Sequence, residues 1–132
     1  MPAEVMKIHV TAVLGEGYEI TTSAGKHKIE SDVPESLGGK DHAPDPEELF
    51  LASLASCKLI TMKMVAQHKL WDTNGMSLTL SMQREEKKTI IHQTISFPGN
   101  LTVEQQDKLR EISHKCPVAR IVTGEVEISD AV

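Results

Sequence analysis

Cysteine is scarce in this 132-residue chain, which carries only Cys57 and Cys116. Two thiols cannot build a disulfide framework, and in a reducing compartment such a pair is more often catalytic, redox-sensing or simply buried than a permanent bridge. Basic charge is not in excess either. Lys and Arg number 14 against 19 Asp and Glu, the formal net charge is -5, and the lysines are scattered. That leaves no electrostatic footprint for nucleic acid. There is no CxxC and no HxxxH, so a metal reading of His114, Cys116 and Cys57 lacks the ligand spacing that would complete a tetrahedral site. "MPAEVMKIHV" shows no basic stretch followed by an apolar one, as a signal or transit peptide would, and a cytoplasmic protein is expected. Internal repeats, low-complexity runs and linkers are also absent, so residues 1–132 are expected to fold as one domain with its own core.

What is present reads as an α+β chain. Residues 4–14, "EVMKIHVTAVL", alternate well enough for a strand, "YEITTSA" (18–24) for a second and "HKIESDV" (27–33) for a third, with turn signals "GEG" and "GK" between them. Residues 34–46 hold three prolines and a glycine pair, a loop that could line a site. A marked helix start follows: Asp45 as N-cap, Pro46 at the first helical position and Glu48 where a capping box needs its carboxylate. From there "EELFLASLASCKLITMKMVAQHKLW" (47–71) runs without proline or glycine until "NG" at 74 and 75. Lys58, Lys63 and several hydroxyls argue against a membrane span. Apolar residues occupy most of its circumference, and Ala52, Ser53, Ala55 and Ser56 are small enough to admit a second helix. The helix is therefore expected to be central, covered by sheet and by a second copy of itself. A hairpin with its turn near Lys87 and Lys88 spans residues 76–99. A helix over 102–115 opens on Thr102 and Gln105 as a capping box, Pro117 breaks it after Cys116, "VARIV" gives one further turn, and "GEVEISD" (124–130) reads as a closing strand. The order βββ, α, ββ, α, β implies helices packed on a mainly antiparallel sheet.

Cys57 lies about 12 residues inside the long helix, out of reach of its macrodipole, so an activated thiolate there needs a cation from elsewhere. Lys58 is adjacent but is expected to point about 100° away around the helix. Three readings stay open for Cys57: a small hydrophobe in a core, one half of a peroxidatic and resolving pair with Cys116, or a metal ligand. Glu47 precedes Cys57 by ten residues, about 15 Å along one helix, so the two side chains of one chain cannot meet. If both serve one site, the carboxylate comes from a partner subunit related by a two-fold axis. Of the histidines, only His42 in the pre-helix loop is retained as a candidate.

"PDPEELFLASLASC" and the later "HKCPVAR" resemble the OsmC/Ohr family, in which a cysteine follows a helix-start glutamate by ten residues and a second cysteine stands in a Cys-Pro-Val context. The likeness runs over essentially the whole chain, and "LGGKDHAPDPEEL" resembles the broader OsmC-like branch. The resemblance implies an intertwined homodimer with a long central cysteine-bearing helix and active sites at the interface. It implies thiol-dependent reduction of organic hydroperoxides without metal or flavin. In that scheme Cys57 is the peroxidatic thiolate, Cys116 the resolving thiol, Glu47 the orienting carboxylate, and an external dithiol the reductant. The family's N-terminal arginine has no counterpart, since no arginine precedes Arg84. Lys40, His42 or Arg120 are the candidate replacements, and the missing guanidinium implies a weak or differently tuned activity. The alternative is a non-catalytic dimer of this type that binds a small apolar or thiol ligand at the interface; neither reading calls for nucleic acid or a membrane.

Overall fold

The computed structural model describes residues 8–130. The chain divides into two compact units, with the boundary between Phe50 and Leu51.

In the N-terminal unit three strands form an antiparallel meander: β1 (Thr11–Leu14), β2 (Ile20–Ala24) and β3 (His27–Ser31), in the order β1-β2-β3. Val13 pairs with Thr21, and Thr22 with Ile29. The expected first strand began at residue 4; residues 4–7 lie outside the described residues, and pairing starts at Thr11. Gly25, at φ 61°, turns the chain from β2 into β3, a conformation that glycine adopts without penalty.

The proline-rich segment after β3 is an ordered loop built around Asp32, only 2% exposed. Its carboxylate accepts from the backbone N–H of Val33 at 2.8 Å, of Lys40 at 3.4 Å and of His42 at 3.3 Å. The Asp32 N–H donates to the Pro44 carbonyl at 3.1 Å, which ties the loop's two ends together. Gly39 is required where the chain doubles back, because a Cβ there would stand 2.1 Å from the Val33 carbonyl oxygen. The hydrogen bond from Val33, then those from His42 and Lys40, hold the Asp32 carboxyl below its usual 3.8, against the opposing effect of burial.

The loop delivers the chain into α1 (Pro46–His68). Its start is the expected capping box: the Glu48 N–H donates to Asp45 Oδ1 at 2.8 Å and the Asp45 N–H to Glu48 Oε1 at 3.0 Å. The helix ends six residues before the Asn74-Gly75 pair. Leu70 takes the left-handed conformation at φ 58°, its N–H donates to the Gln67 carbonyl at 3.1 Å, and the Trp71 N–H reaches the Ala66 carbonyl at 2.9 Å. That is the Schellman closure, made here with a leucine where glycine is usual. Trp71 then folds back onto the cluster that holds Ala66, the apolar contact that accompanies this motif.

The C-terminal unit assembles the rest of α1 with the hairpin β4 (Ser77–Arg84) and β5 (Thr89–Ser96), α2 (Val103–Ser113) and α3 (Pro117–Thr123). The hairpin alternates as its sequence demands: Leu78, Leu80 and Met82 are half-buried and pair with Ile95, Gln93 and Ile91. Leu54, Lys58, Met62 and Ala66, spaced four apart, form the buried stripe of α1. Met62 and Ala66 join Leu101 and Leu109 in one core cluster, flanked by Leu59, Trp71, Met76, Ile95, Phe97 and Ile112. Full burial of side chains such as Met62 and Leu109 stabilises by about 1.5–3 kcal/mol each. The helix is long and apolar enough to cross a membrane by length and composition, yet this stripe packs into the unit's own core. Within one chain the burial is one-sided, whereas its composition suggested cover all round; Ala52, Ser53, Ser56, Ile60 and Met64 are exposed. The capping box at Thr102 and Gln105 forms as expected. The closing strand does not: residues 125–130 keep the alternation but find no ladder partner among the described residues, and Val126 and Ile128 are exposed.

Two outcomes follow from these backbone arrangements. Leu70 pays the left-handed penalty with a side chain 92% exposed, so Leu70→Gly is expected to raise stability in urea denaturation by about 0.5–1 kcal/mol. Asp32 has a depressed carboxyl, so its stabilisation is present above the ordinary value of 3.8 and is lost as pH falls through the lower folded value. Asp32→Asn is expected to remove that acid dependence and the amide-exchange protection of Val33, Lys40 and His42, read by hydrogen exchange against pH.

Candidate functional site

Cys57 and Cys116 come together in the C-terminal unit. Both are free; Cys116 is buried and Cys57 half-buried. They share a cluster with Leu54, Ala119, Leu80, Ile91 and Val118, in which Cys57 packs against the buried group that holds Cys116. Cys57 is carried on the flank of α1's buried stripe. Cys116 is placed by the Pro117 break, because a residue before proline is driven out of the helical region and here becomes the N-cap of α3 at φ -68°, ψ 152°. Its Sγ accepts the Ala119 N–H at 3.3 Å.

Burial is the main influence on the Cys116 thiol and pushes it up. The Ala119 N–H opposes that, the hydrogen bond and the charge of Cys57 raise it further, and the Lys58 ammonium lowers it. A thiol so placed holds its proton more firmly than a free one.

Lys58, expected from the helical period to leave the helix about 100° away from Cys57, occupies the inward stripe with 5% exposure, where its charge lowers the Cys116 thiol. A rotation of 100° between adjacent Cβ directions does not fix where a four-carbon stem carries its tip. Lys58 Nζ donates to the Ser113 carbonyl at 2.9 Å, one of the last carbonyls of α2, where the helix C-terminus favours a cation. Burial lowers the Lys58 ammonium from its usual 10.5, and the sulfurs of Cys116 and Cys57 pull it back up. Ser113 itself is fully held, its hydroxyl donating to the Arg110 carbonyl at 2.6 Å and accepting from Gln93 Nε2 at 3.1 Å. The signal that could have found Lys58 was present: one charged residue in an otherwise apolar row, Leu54, Lys58, Met62, Ala66.

The remaining candidates are distributed differently. Arg120 is exposed on α3, four residues after Cys116, whose carbonyl its backbone N–H contacts at 3.1 Å. Lys40 and His42 are exposed residues of the N-terminal unit, engaged through their backbone N–H groups with Asp32. Glu47 is exposed in the first turn of α1. Among the described residues no three His, Cys, Asp or Glu side chains gather as a metal-ligand set.

A cavity of about 270 Å³ adjoins the cysteine cluster and shares Leu54, Ile91 and Ala119 with it. Lys58, Gln93, His114 and Thr123 supply its polar wall. Such a chamber suits a small, largely apolar molecule with one polar end.

Residues 38–129 match the family model described as OsmC-like protein. A search among curated proteins gave no match. Among solved structures, the chain is similar to the OsmC-like protein from Mycoplasma pneumoniae, with a TM-score of 0.71 and 22% identity over 89% of this chain and 88% of that one. It is similar to an organic hydroperoxide resistance protein OsmC from Legionella pneumophila, with a TM-score of 0.63 and 25% identity over 89% and 90%. It is also similar to the organic hydroperoxide resistance protein OhrB of Bacillus subtilis, with a TM-score of 0.65 and 22% identity over 93% and 95%. The family model spans well over half of the sequence and the fold agrees along most of its length: this chain belongs to the OsmC-like protein family.

Proposed function

We propose that the protein is a thiol-dependent peroxidase that reduces organic hydroperoxides to alcohols. The observation that carries this reading is the pair of free cysteines brought together inside one apolar cluster. The two similar structures named for organic hydroperoxide resistance support the substrate class.

The Cys57 thiolate attacks the distal peroxide oxygen. An S–O bond forms as the O–O bond breaks, sulfur is oxidised to sulfenic acid, and the departing alkoxide takes up a proton to become the alcohol. The Cys116 thiol then condenses with the sulfenic acid, joining the two sulfurs and releasing water. A dithiol from outside reduces the disulfide and is itself oxidised, through a mixed disulfide. The raised Cys116 thiol suits the resolving role, because it stays protonated until its neighbour has become an electrophile. The cycle fits a cytoplasmic setting, where dithiol reductants keep such pairs reduced.

The active unit in this reading is a homodimer. Ile60 and Met64, 55% and 61% exposed, stand on the open face of α1 with Ala52, Ser53 and Ser56, a surface on which a second α1 can seat closely. Glu47 would then reach the Cys57 of the other subunit, since ten residues of helix separate the two within a chain. The 270 Å³ cavity favours a second reading, a non-catalytic binder of a small apolar or thiol ligand.

Intact mass separates the two. After one equivalent of cumene hydroperoxide the wild-type chain is expected to lose two hydrogens, Cys116→Ser to gain oxygen on Cys57 alone, and Cys57→Ser to stay unchanged. No mass change in the wild type, or oxidation no faster than that of a free thiol, would sink the peroxidase and favour the binder. Glu47→Gln is expected to slow oxidation by roughly 100-fold or more in stopped flow without altering the fold, the usual range for loss of one positioned polar group.

A further inference from the structure

Lys58 has a role that packing alone does not account for. Its neighbours along the stripe are Leu54, Met62 and Ala66, and a methionine would fill the same row without a charge to desolvate. Its ammonium has three protons to place, and the Ser113 carbonyl takes one at 2.9 Å. The groups around it come from every element packed there: Cys57 precedes it on α1, the Ser113 carbonyl of α2 takes its hydrogen bond, Cys116 caps α3 three residues beyond Ser113, and Gln93 of β5 and His114 share its cavity. Of these only a thiol can ionise to a full negative charge that would offset the cost of burying the ammonium.

We propose that Lys58 is the proton partner of the cysteine pair, forming an ammonium–thiolate couple with Cys57 in the dithiol state. From the position next to the reactive sulfur it supplies the cation that a thiolate deep in a helix needs, and the proposal rests on the peroxidase reading for its purpose. The proton leaves Cys57 Sγ and is held on Lys58 Nζ, so the S–H bond breaks as an N–H bond forms and the pair stays neutral overall. When the thiolate attacks a peroxide, that proton neutralises the departing alkoxide. Once the disulfide has closed no thiolate faces Lys58, and burial then favours its neutral amine. Reduction by the external dithiol returns the proton along with the two electrons. Unlike arginine, lysine can both supply the charge and give up the proton.

The test is made on the full chain without peroxide, so that its failure and that of the peroxidase reading stay distinct. In the Cys116→Ser background, where Cys57 is the only thiol, ultraviolet thiolate absorbance is followed against pH. Lys58→Met is expected to lower the thiolate fraction at neutral pH by roughly 10-fold, the equivalent of one unit in midpoint, and Lys58→Arg to recover most of it. An unchanged titration in a folded Lys58→Met chain overturns the proposal. As a safeguard against variants that do not fold, the Lys58 ζ-nitrogen is followed by NMR in the wild type and in Cys57→Ala/Cys116→Ala. Its midpoint is expected to fall when the sulfurs are removed, and an unmoved midpoint overturns the proposal equally. A protein that shows the couple yet leaves alkyl hydroperoxide intact overturns the peroxidase reading alone.

Discussion

The contact on which the C-terminal unit turns is the one between a buried ammonium and a helix end. Lys58 of α1 reaches the last carbonyl of α2 while its charge rests beside the sulfurs of Cys57 and Cys116. A lysine buried without such partners would be a heavy liability. Here the helix C-terminus and the two thiols make burial tolerable, and in doing so they bring α1, α2 and the cap of α3 to one point. The electrostatics of the site and the register of three helices thus share one residue.

Local backbone chemistry prepares that meeting. Pro117 expels Cys116 from the helical region and makes it a cap, so its Sγ is held by the Ala119 N–H rather than left free to rotate. Cys57 rides on a long uninterrupted helix whose buried row anchors it to the hairpin and to α2. One sulfur is therefore fixed by a turn and the other by a rigid rod. The N-terminal unit solves a different problem with one carboxylate. Asp32 gathers three backbone N–H groups, and a loop with three prolines becomes ordered enough to deliver α1 at a defined start.

Much of this was legible before any coordinates. The capping boxes at Asp45 and Thr102, the hairpin turn near Lys87 and Lys88, and the helical turn after Pro117 all depend on interactions within a few residues. The misreadings are equally local in cause. The helix was carried past its end because a leucine takes the left-handed place that glycine usually marks. The strand at 124–130 was inferred from alternation, but a strand also needs a neighbouring backbone to pair with, and no described residue offers one. The one-sided burial of α1 within a single chain was hidden because its exposed row is made of small and apolar residues as well.

The amino-acid sequence by itself determined the element order, the capped helix starts, the antiparallel pairings and the placing of the two cysteines on α1 and at the Pro117 break, because these rest on short-range hydrogen bonds and on spacing along the chain. Only the tertiary structure decided that Cys57 and Cys116 share one cluster and that Lys58 is buried with its ammonium on the Ser113 carbonyl. Periodicity gives the direction in which a Cβ leaves a helix, but not where a long flexible side chain ends, nor which distant carbonyl and which sulfurs the packing will bring within its reach.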